Sequence, residues 1–313
     1  MYKIDTKYKK FLICPICHIS LIEFKCSKCK ISFFDKKFNI PSFVVSKMYK
    51  NQSDLNFVNE VMNFWGNGWA QRLNEEDHDF LYKFNKNELL NYGNNLINSF
   101  ENKGWTLFRH LKKESFQNKL VLNIGSGSGV EALLISMLSS LKCTCIATDI
   151  TLQASLASHK ILKKITKTSF GLHADARYIP LKTNSVDVVF SSGVLHHSKD
   201  IKKSISEIYR VLKPNGKAYI MLYAKWSLMF LQEKFFRNSG EKDWETKNRK
   251  NPLTNTFSKN DIKNMFSKFS DLYVSKDNGS ISQLLKIGKY FPKFFDKLID
   301  KYLGANMNII VKK

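Results

Sequence analysis

Arginine is scarce in a chain that is otherwise strongly basic. Of 313 residues, 50 are Lys or Arg and 27 are Asp or Glu, a formal net charge of +23, yet only six are Arg. Those six (Arg72, Arg109, Arg177, Arg210, Arg237 and Arg249) do not cluster. Recognition of RNA and phosphate leans on Arg forks and on stacking, so the charge reads as a dispersed, solvated lysine surface. With its abundant Asn, Ile and Phe, the mixture is what A+T-rich coding produces. Long apolar runs are also missing. No uncharged stretch of 18 residues occurs, which excludes a membrane-spanning helix by sequence. Met1–Asp5 opens no apolar h-region, so a signal peptide is not expected. No Gly-x-x-x-x-Gly-Lys-Ser/Thr occurs, which excludes a P-loop.

What is there begins at residue 121. Val121-Leu122-Asn123-Ile124 is an apolar run that enters Gly125-Ser126-Gly127-Ser128-Gly129, and the apolar stretch Val130–Leu138 follows. A second run, Cys143–Thr148, delivers Asp149, 20 residues past Gly129. The order strand, glycine turn, helix, strand, acid suits a nucleoside. Glycines let the backbone approach a ligand, the helix N-terminus favours polar or anionic groups, and the acid takes both hydroxyls of a ribose. The spacing Gly-x-Gly-x-Gly is one residue tighter than the dinucleotide fingerprint.

Three further blocks follow in order: Gly171-Leu172-His173-Ala174-Asp175-Ala176, Ser185–His197, and Glu207–Lys217 with its Pro214-Asn215-Gly216 turn. Together with the glycine turn, these blocks resemble the class I S-adenosylmethionine-dependent methyltransferases, specifically the ubiquinone/menaquinone-biosynthesis-like (methyltransferase type 11) branch, over roughly residues 118–223. The resemblance implies that Gly125, Ser126, Gly127 and Gly129 hold the methionine end of the cofactor. It implies that Asp149, with Ile150, takes the ribose, and that Asp175 and the Ala176 amide read the adenine edge. Ser191–His197 would line the methyl-transfer face. The family usually carries an acid where this chain has Asn123, and that acid helps to hold the cofactor's ammonium. Asn still accepts a hydrogen bond but brings no charge.

Four cysteines make a second signal. Cys14-Pro-Ile-Cys17 and Cys26-Ser-Lys-Cys29 are two C-x2-C knuckles separated by eight residues. Such a pair supplies four thiolates to a tetrahedral structural Zn2+. With Phe33, Phe34 and Phe38–Phe43 behind them, they resemble the short zinc ribbons that precede some bacterial methyltransferases, including certain rRNA guanine enzymes. His18 is expected on the knuckle surface. Cys143 and Cys145 alternate with apolar neighbours and read as core.

The expected organisation is a zinc ribbon over 1–45, a helical cap or linker over 46–115, and a methyltransferase domain over 116–313 with an acceptor-site insertion at 223–257. The domain is expected to be α/β, a doubly wound Rossmann-like sheet, mostly parallel, with an antiparallel strand near the C-terminus at Asn306–Val311. Strands are predicted at 119–124, 143–148, 169–174, 186–191 and 216–222, and helices at 129–140, 151–165 and 200–212. Within the cap, Phe64-Trp65-Gly66-Asn67-Gly68-Trp69 reads as an aromatic turn and Asn94–Leu111 as one amphipathic helix. Glu75-Glu76-Asp77-His78-Asp79 reads as a solvated run, with a metal or base role as the alternative. In the tail, lysines recur every three or four residues between aromatic and aliphatic side chains over 284–303. Such a stripe either packs on its own core or makes peripheral contact with an anionic membrane.

The sulfonium of the cofactor is already a strong methyl donor, so the protein must supply positioning and a route for the acceptor's proton. His196, His197 and Tyr223 are the catalytic candidates: either His as a base, Tyr223 as an orienting group. The sequence thus reads as a cytoplasmic, zinc-ribbon methyltransferase acting by in-line displacement on a small-molecule or glycan-type acceptor, with S-adenosylmethionine and structural zinc as cofactors. Two alternatives stand beside it: an rRNA base methyltransferase that grips RNA through the ribbon, and a catalytically inactive binding or scaffold protein.

Overall fold

The structure, a computed structural model, describes residues 9–74, 81, 84–101, 105–228, 252–278 and 293–313. The acidic run Glu75–Asp79, the aromatic residues 230–244 of the insertion and residues 284–292 of the tail lie outside these.

Two small antiparallel hairpins come first: β1 (Lys25–Cys26) with β2 (Ile31–Ser32), and β3 (Phe34–Asp35) with β4 (Ile40–Pro41). Three helices follow: α1 (Gln52–Asn74), α2 (Lys86–Asn98) and α3 (Thr106–Lys112). The rest alternates: β5 (Leu120–Ile124), α4 (Val130–Leu138), β6 (Thr144–Asp149), α5 (Leu152–Ile165), β7 (Phe170–His173), β8 (Val186–Ser192), α6 (Ile201–Val211), β9 (Leu212–Tyr223), α7 (Lys259–Met265), β10 (Ser270–Asp277), α8 (Lys293–Leu303) and β11 (Asn306–Lys312).

The seven long strands form one sheet in the order β10-β11-β9-β8-β5-β6-β7. Pairs β9/β8, β8/β5, β5/β6 and β6/β7 are parallel, and β11 runs antiparallel to both β9 and β10. The order reverses beside β5, so the carboxyl ends of β5, β6 and β8 open onto one crevice, the usual ligand position in such sheets. Central strands are buried on both faces, as parallel strands must be. Leu122, Ile124, Ile146, Leu172 and Val189 fill one side, and Val121, Cys145, Ala147, Val188 and Phe190 the other. Cys143 and Cys145 are core residues, 1% and 0% exposed.

Caps explain several helix starts. Asp200 accepts from Lys203 N at 3.0 Å ahead of α6. Asn85 and Glu88 close a reciprocal capping box at α2, as do Ser258 and Asp261 at α7.

The structure departs from the sequence reading in three places. The Phe64–Trp69 stretch is not a turn but lies inside α1. Its glycines are tolerated because packing holds the helix there: a Cβ on Gly66 would meet Gln153 Oε1 of α5 at 3.1 Å. Asn94–Leu111 is two helices, not one. Ser99 ends the first, its hydroxyl donating to Leu96 O at 2.7 Å, and buried Phe100 and Thr106 lie beyond the break. Lastly, β10 was unanticipated, a half-exposed strand paired to the outer edge of β11. In α8, Leu298 and Tyr302 are exposed. Among the described residues, no helix is long and apolar enough to cross a membrane.

Candidate active site and zinc centre

The glycine turn is built by backbone geometry that side chains resist. Gly125, Gly127 and Gly129 have φ of 72°, 50° and 88°. A Cβ on Gly129 would lie 2.9 Å from Ser158 Cα, so the turn also lets α4 and α5 approach. Gly125 N and Ser126 N both donate to Thr148 O, at 2.7 and 3.0 Å, which ties the turn to the end of β6. Ser126 Oγ sits 2.7 Å from Ser158 Oγ.

Asp149, 7% exposed, ends β6 beside that turn. Its Oδ2 accepts from Gly127 N at 3.1 Å, and its Oδ1 accepts from Thr151 N and Oγ1, both at 2.9 Å. Burial pushes its carboxyl above the ordinary value, and these hydrogen bonds oppose the shift. Three of the carboxylate's roughly four lone-pair sites are taken, which leaves one on Oδ2 for an incoming hydroxyl.

Asp175 follows β7 and is 3% exposed. Arg177 grips it: the Arg177 N–H donates to Oδ1 and Nη2 donates to Oδ2, both at 2.8 Å. Tyr49 OH donates to Oδ2 at 3.3 Å. Arg177 Nη1 reaches Asp54 on α1 at 2.8 Å. An ion-pair chain therefore joins the helix over the crevice to the acid within it.

A cavity of about 130 Å³ lies between these groups. Ile124, Gly125, Asp149, Ile150, Asp175 and Ala176 form its floor. Phe57, Val58, Val61, Trp65 and Trp69, spaced along one face of α1, form its roof. The Trp69 indole lies against Gly127, where a Cβ would be 2.6 Å away. Val194, Leu195 and His197, after β8, close a third wall.

The catalytic candidates are placed unequally. His197 lines the cavity, its ring 4.9 Å from that of Trp65. Its Nδ1 donates to Leu253 O at 2.8 Å, which puts the proton there and makes Nε2 the basic nitrogen. His196 is fully buried, stacked on Tyr223 at 3.8 Å between ring centroids. Burial holds it well below the ordinary histidine range, so it stays neutral. Tyr223 is 7% exposed behind it. Ser191 and Asn123 are fully buried at the ends of β8 and β5, and Ser191 Oγ and Asn123 Oδ1 have no hydrogen-bond partner.

Sequence reading missed Tyr49, Asp54, Trp65, Trp69, Arg177 and Glu131. The residues of α1 did carry a signal, since 54, 58, 61, 65 and 69 recur at helical spacing, but the glycines masked it.

The Cys14, Cys17, Cys26 and Cys29 sulfurs lie within 4.8 Å of one another, with Cys14–Cys29 at 3.8 Å and Cys17–Cys26 at 3.5 Å. Zn–S bonds of about 2.3 Å require S···S edges of about 3.8 Å in a tetrahedron, so the set fits zinc. The knuckles match in detail: His18 N donates to Cys14 O and Lys30 N to Cys26 O, and both residues have positive φ. His18 is exposed and outside the cluster. The ribbon docks on the sheet edge. Phe43 N donates to His173 O at 2.7 Å, and Ser42 Oγ meets His173 Nδ1 at 2.8 Å.

Residues 122–220 match the family model described as a methyltransferase domain. The chain is 25% identical over 174 residues to a malonyl-[acyl-carrier protein] O-methyltransferase of Marinomonas sp. (strain MWYL1), covering 55% of this chain and 64% of that one. It is 29% identical over 115 residues to the ubiquinone/menaquinone biosynthesis C-methyltransferase UbiE of Wigglesworthia glossinidia brevipalpis, covering 36% and 46%. It therefore spans less than two thirds of either relative. Among solved structures, Haemonchus contortus phosphoethanolamine N-methyltransferase 2 in complex with S-adenosyl-L-methionine aligns at a TM-score of 0.48 and 18% identity, over 78% of this chain and 60% of that one. Residues 122–220 thus carry a methyltransferase domain, similar to that of the S-adenosylmethionine-dependent enzymes.

Proposed function

We propose that this protein binds S-adenosylmethionine in the crevice above β5, β6 and β8 and transfers its methyl group to a small-molecule acceptor with an apolar body. The observation that carries the reading is the convergence of the positive-φ glycine turn with Asp149 and Asp175 on one cavity.

The bound cofactor supplies an activated methyl group on a sulfonium. Asp149 would take a ribose hydroxyl on the Oδ2 lone pair that Gly127 and Thr151 leave. Asp175, held in one orientation by Arg177 and Tyr49, reads the adenine edge together with the Ala176 amide. Trp65 and Trp69 exclude water from the crevice. His197, its ring fixed by Leu253 O, would take the acceptor's proton at Nε2. Enclosed His196 and Tyr223 buttress His197 from behind, their rings 4.1 and 6.3 Å from it.

The apolar, aromatic roof supports a small apolar acceptor over a glycan or an RNA base. The four thiolates of the ribbon hold one structural zinc, closed to substrate because all four ligands come from protein.

Incubation with methyl-labelled S-adenosylmethionine tests this, using a prenylated phenol, a fatty acyl thioester, a hexose and purified rRNA as acceptors. Label on the prenyl or acyl compound supports the reading. Label on rRNA or hexose alone contradicts it.

A further inference from the structure

At the end of β5, where the family resemblance leads one to expect an acid, stands Asn123, and the fold brings a different acid to the same place. Glu131 lies in the first turn of α4, two residues past Gly129. Asn123 Nδ2 donates to Glu131 Oε2 at 3.0 Å. The Glu131 carboxyl also bonds to Ser192 at the end of β8. The placement follows from the parallel register: Asn123 pairs with Phe190, and Ser192, two residues on, shares that face of the sheet.

Two features mark the cluster as made for a ligand group. Asn123 is fully buried and its Oδ1 has no hydrogen-bond partner. A buried acceptor without a donor carries its full desolvation cost. Among the described residues, no ion pair joins a cation to the acid. Asp149 of β6, of the same sign, acts on Glu131, and the thiol of Cys145, also on β6, lies within its field. Burial accordingly pushes the Glu131 carboxyl up to about 8, even though the residue as a whole keeps some solvent exposure. An orphaned acceptor and an unopposed acid beside an anion-tolerant glycine turn suit one kind of group, a cationic donor with several N–H bonds.

We propose that Asn123 Oδ1 and the Glu131 carboxylate together hold the ammonium of the cofactor's amino-acid end, Glu131 supplying the charge that Asn123 lacks. This assignment rests on the reading that the glycine turn binds S-adenosylmethionine. It makes Glu131 a specificity residue for the amino-acid half of the ligand, and it makes binding release a proton, because the arriving ammonium favours the ionised acid.

Two ligands separate the assignment from the reading beneath it. S-adenosylhomocysteine carries the ammonium. 5′-Methylthioadenosine keeps the adenine, ribose and thioether but lacks the amino-acid end. Calorimetric titration of the zinc-loaded wild type and of Glu131→Gln, with folding checked by thermal melt, should show S-adenosylhomocysteine weakened by roughly 10- to 100-fold in the variant. Methylthioadenosine should bind both proteins equally. Adding Asn123→Asp to the variant should recover most of the loss. In buffers of different ionisation enthalpy at pH 7, the wild type should release close to one proton on binding S-adenosylhomocysteine, and Glu131→Gln should release less. Unchanged S-adenosylhomocysteine affinity in Glu131→Gln, or equal loss of both ligands by a variant that still melts like the wild type, would overturn the assignment. Binding of neither ligand to the wild type would overturn the cofactor reading and the assignment with it.

Discussion

Arg177 holds Asp54 of the roof helix and Asp175 of the crevice at the same distance, 2.8 Å, through separate nitrogens of one guanidinium. The three side chains are 6%, 16% and 3% exposed. Removing the cation would strand two carboxylates in a largely dry site. Loss of one partner from a buried pair costs about 3–5 kcal/mol. Arg177→Ala should therefore lower the melting temperature by several degrees and weaken S-adenosylhomocysteine by freeing α1 from the crevice. Arg177→Lys should recover only part, because an ammonium cannot span both acids as the planar fork does. A melt within one degree of wild type for Arg177→Ala would show that the chain of ion pairs is not structural.

The ribbon's hydrophobic residues are continuous with the sheet core, Phe33 and Phe43 packing in the same cluster as Leu172 and Leu181. Removing zinc should therefore affect more than the knuckles. Elemental analysis should find one zinc per chain, and Cys14→Ser should lose it. Chelation or this substitution should lower the main thermal transition, since metal binding energy is folding energy in such modules. Zinc-free protein with an unchanged melt would contradict the continuity of the two cores.

His159 on α5 gives a pH prediction. Its Nδ1 accepts from Gly171 N at 3.3 Å, and burial lowers it to about 4 from an ordinary 6.5. Lys163 on the same helix adds to the shift. Between these two values the unfolded chain binds a proton that the folded chain does not. Stability from this group is thus complete above about pH 6.5 and falls as pH drops toward 4, by up to about 3 kcal/mol. Urea midpoints measured from pH 7 to pH 4 should decline, and His159→Gln should flatten part of that slope. An identical slope in the variant would assign the decline to other groups.

Much of this was legible beforehand, for identifiable reasons. The strands β5, β6, β7 and β8 are short apolar runs bounded by turn residues, and burial on both faces writes that pattern into the sequence. The glycine turn and its acids lie on consecutive strand ends, so spacing along the chain reports their proximity. The knuckles are local for the same reason. The roof was not legible, because Gly66, Asn67 and Gly68 look like turn punctuation and only packing on α5 makes them helical. Nor was β10, whose Ser, Lys and Asp residues suit a half-exposed strand but announce none. Arg177 is separated from Asp54 by 123 residues, and such pairs have no sequence signature. Glu131 is only eight residues from Asn123, but a turn must fold the chain back before the two meet.

The central claim is that Asp149 and the glycine turn form a nucleoside site. Calorimetric titration of S-adenosylhomocysteine into the zinc-loaded protein, repeated on Asp149→Asn and Asp149→Ala, tests it most directly. The account predicts micromolar binding by the wild type and a loss of roughly 10- to 100-fold in Asp149→Ala, from one charge-assisted hydrogen bond. Asp149→Asn, which keeps the shape and removes the charge, should lose less. A wild type that binds no S-adenosylhomocysteine, or an Asp149→Ala variant that binds it as tightly as wild type, would contradict the account.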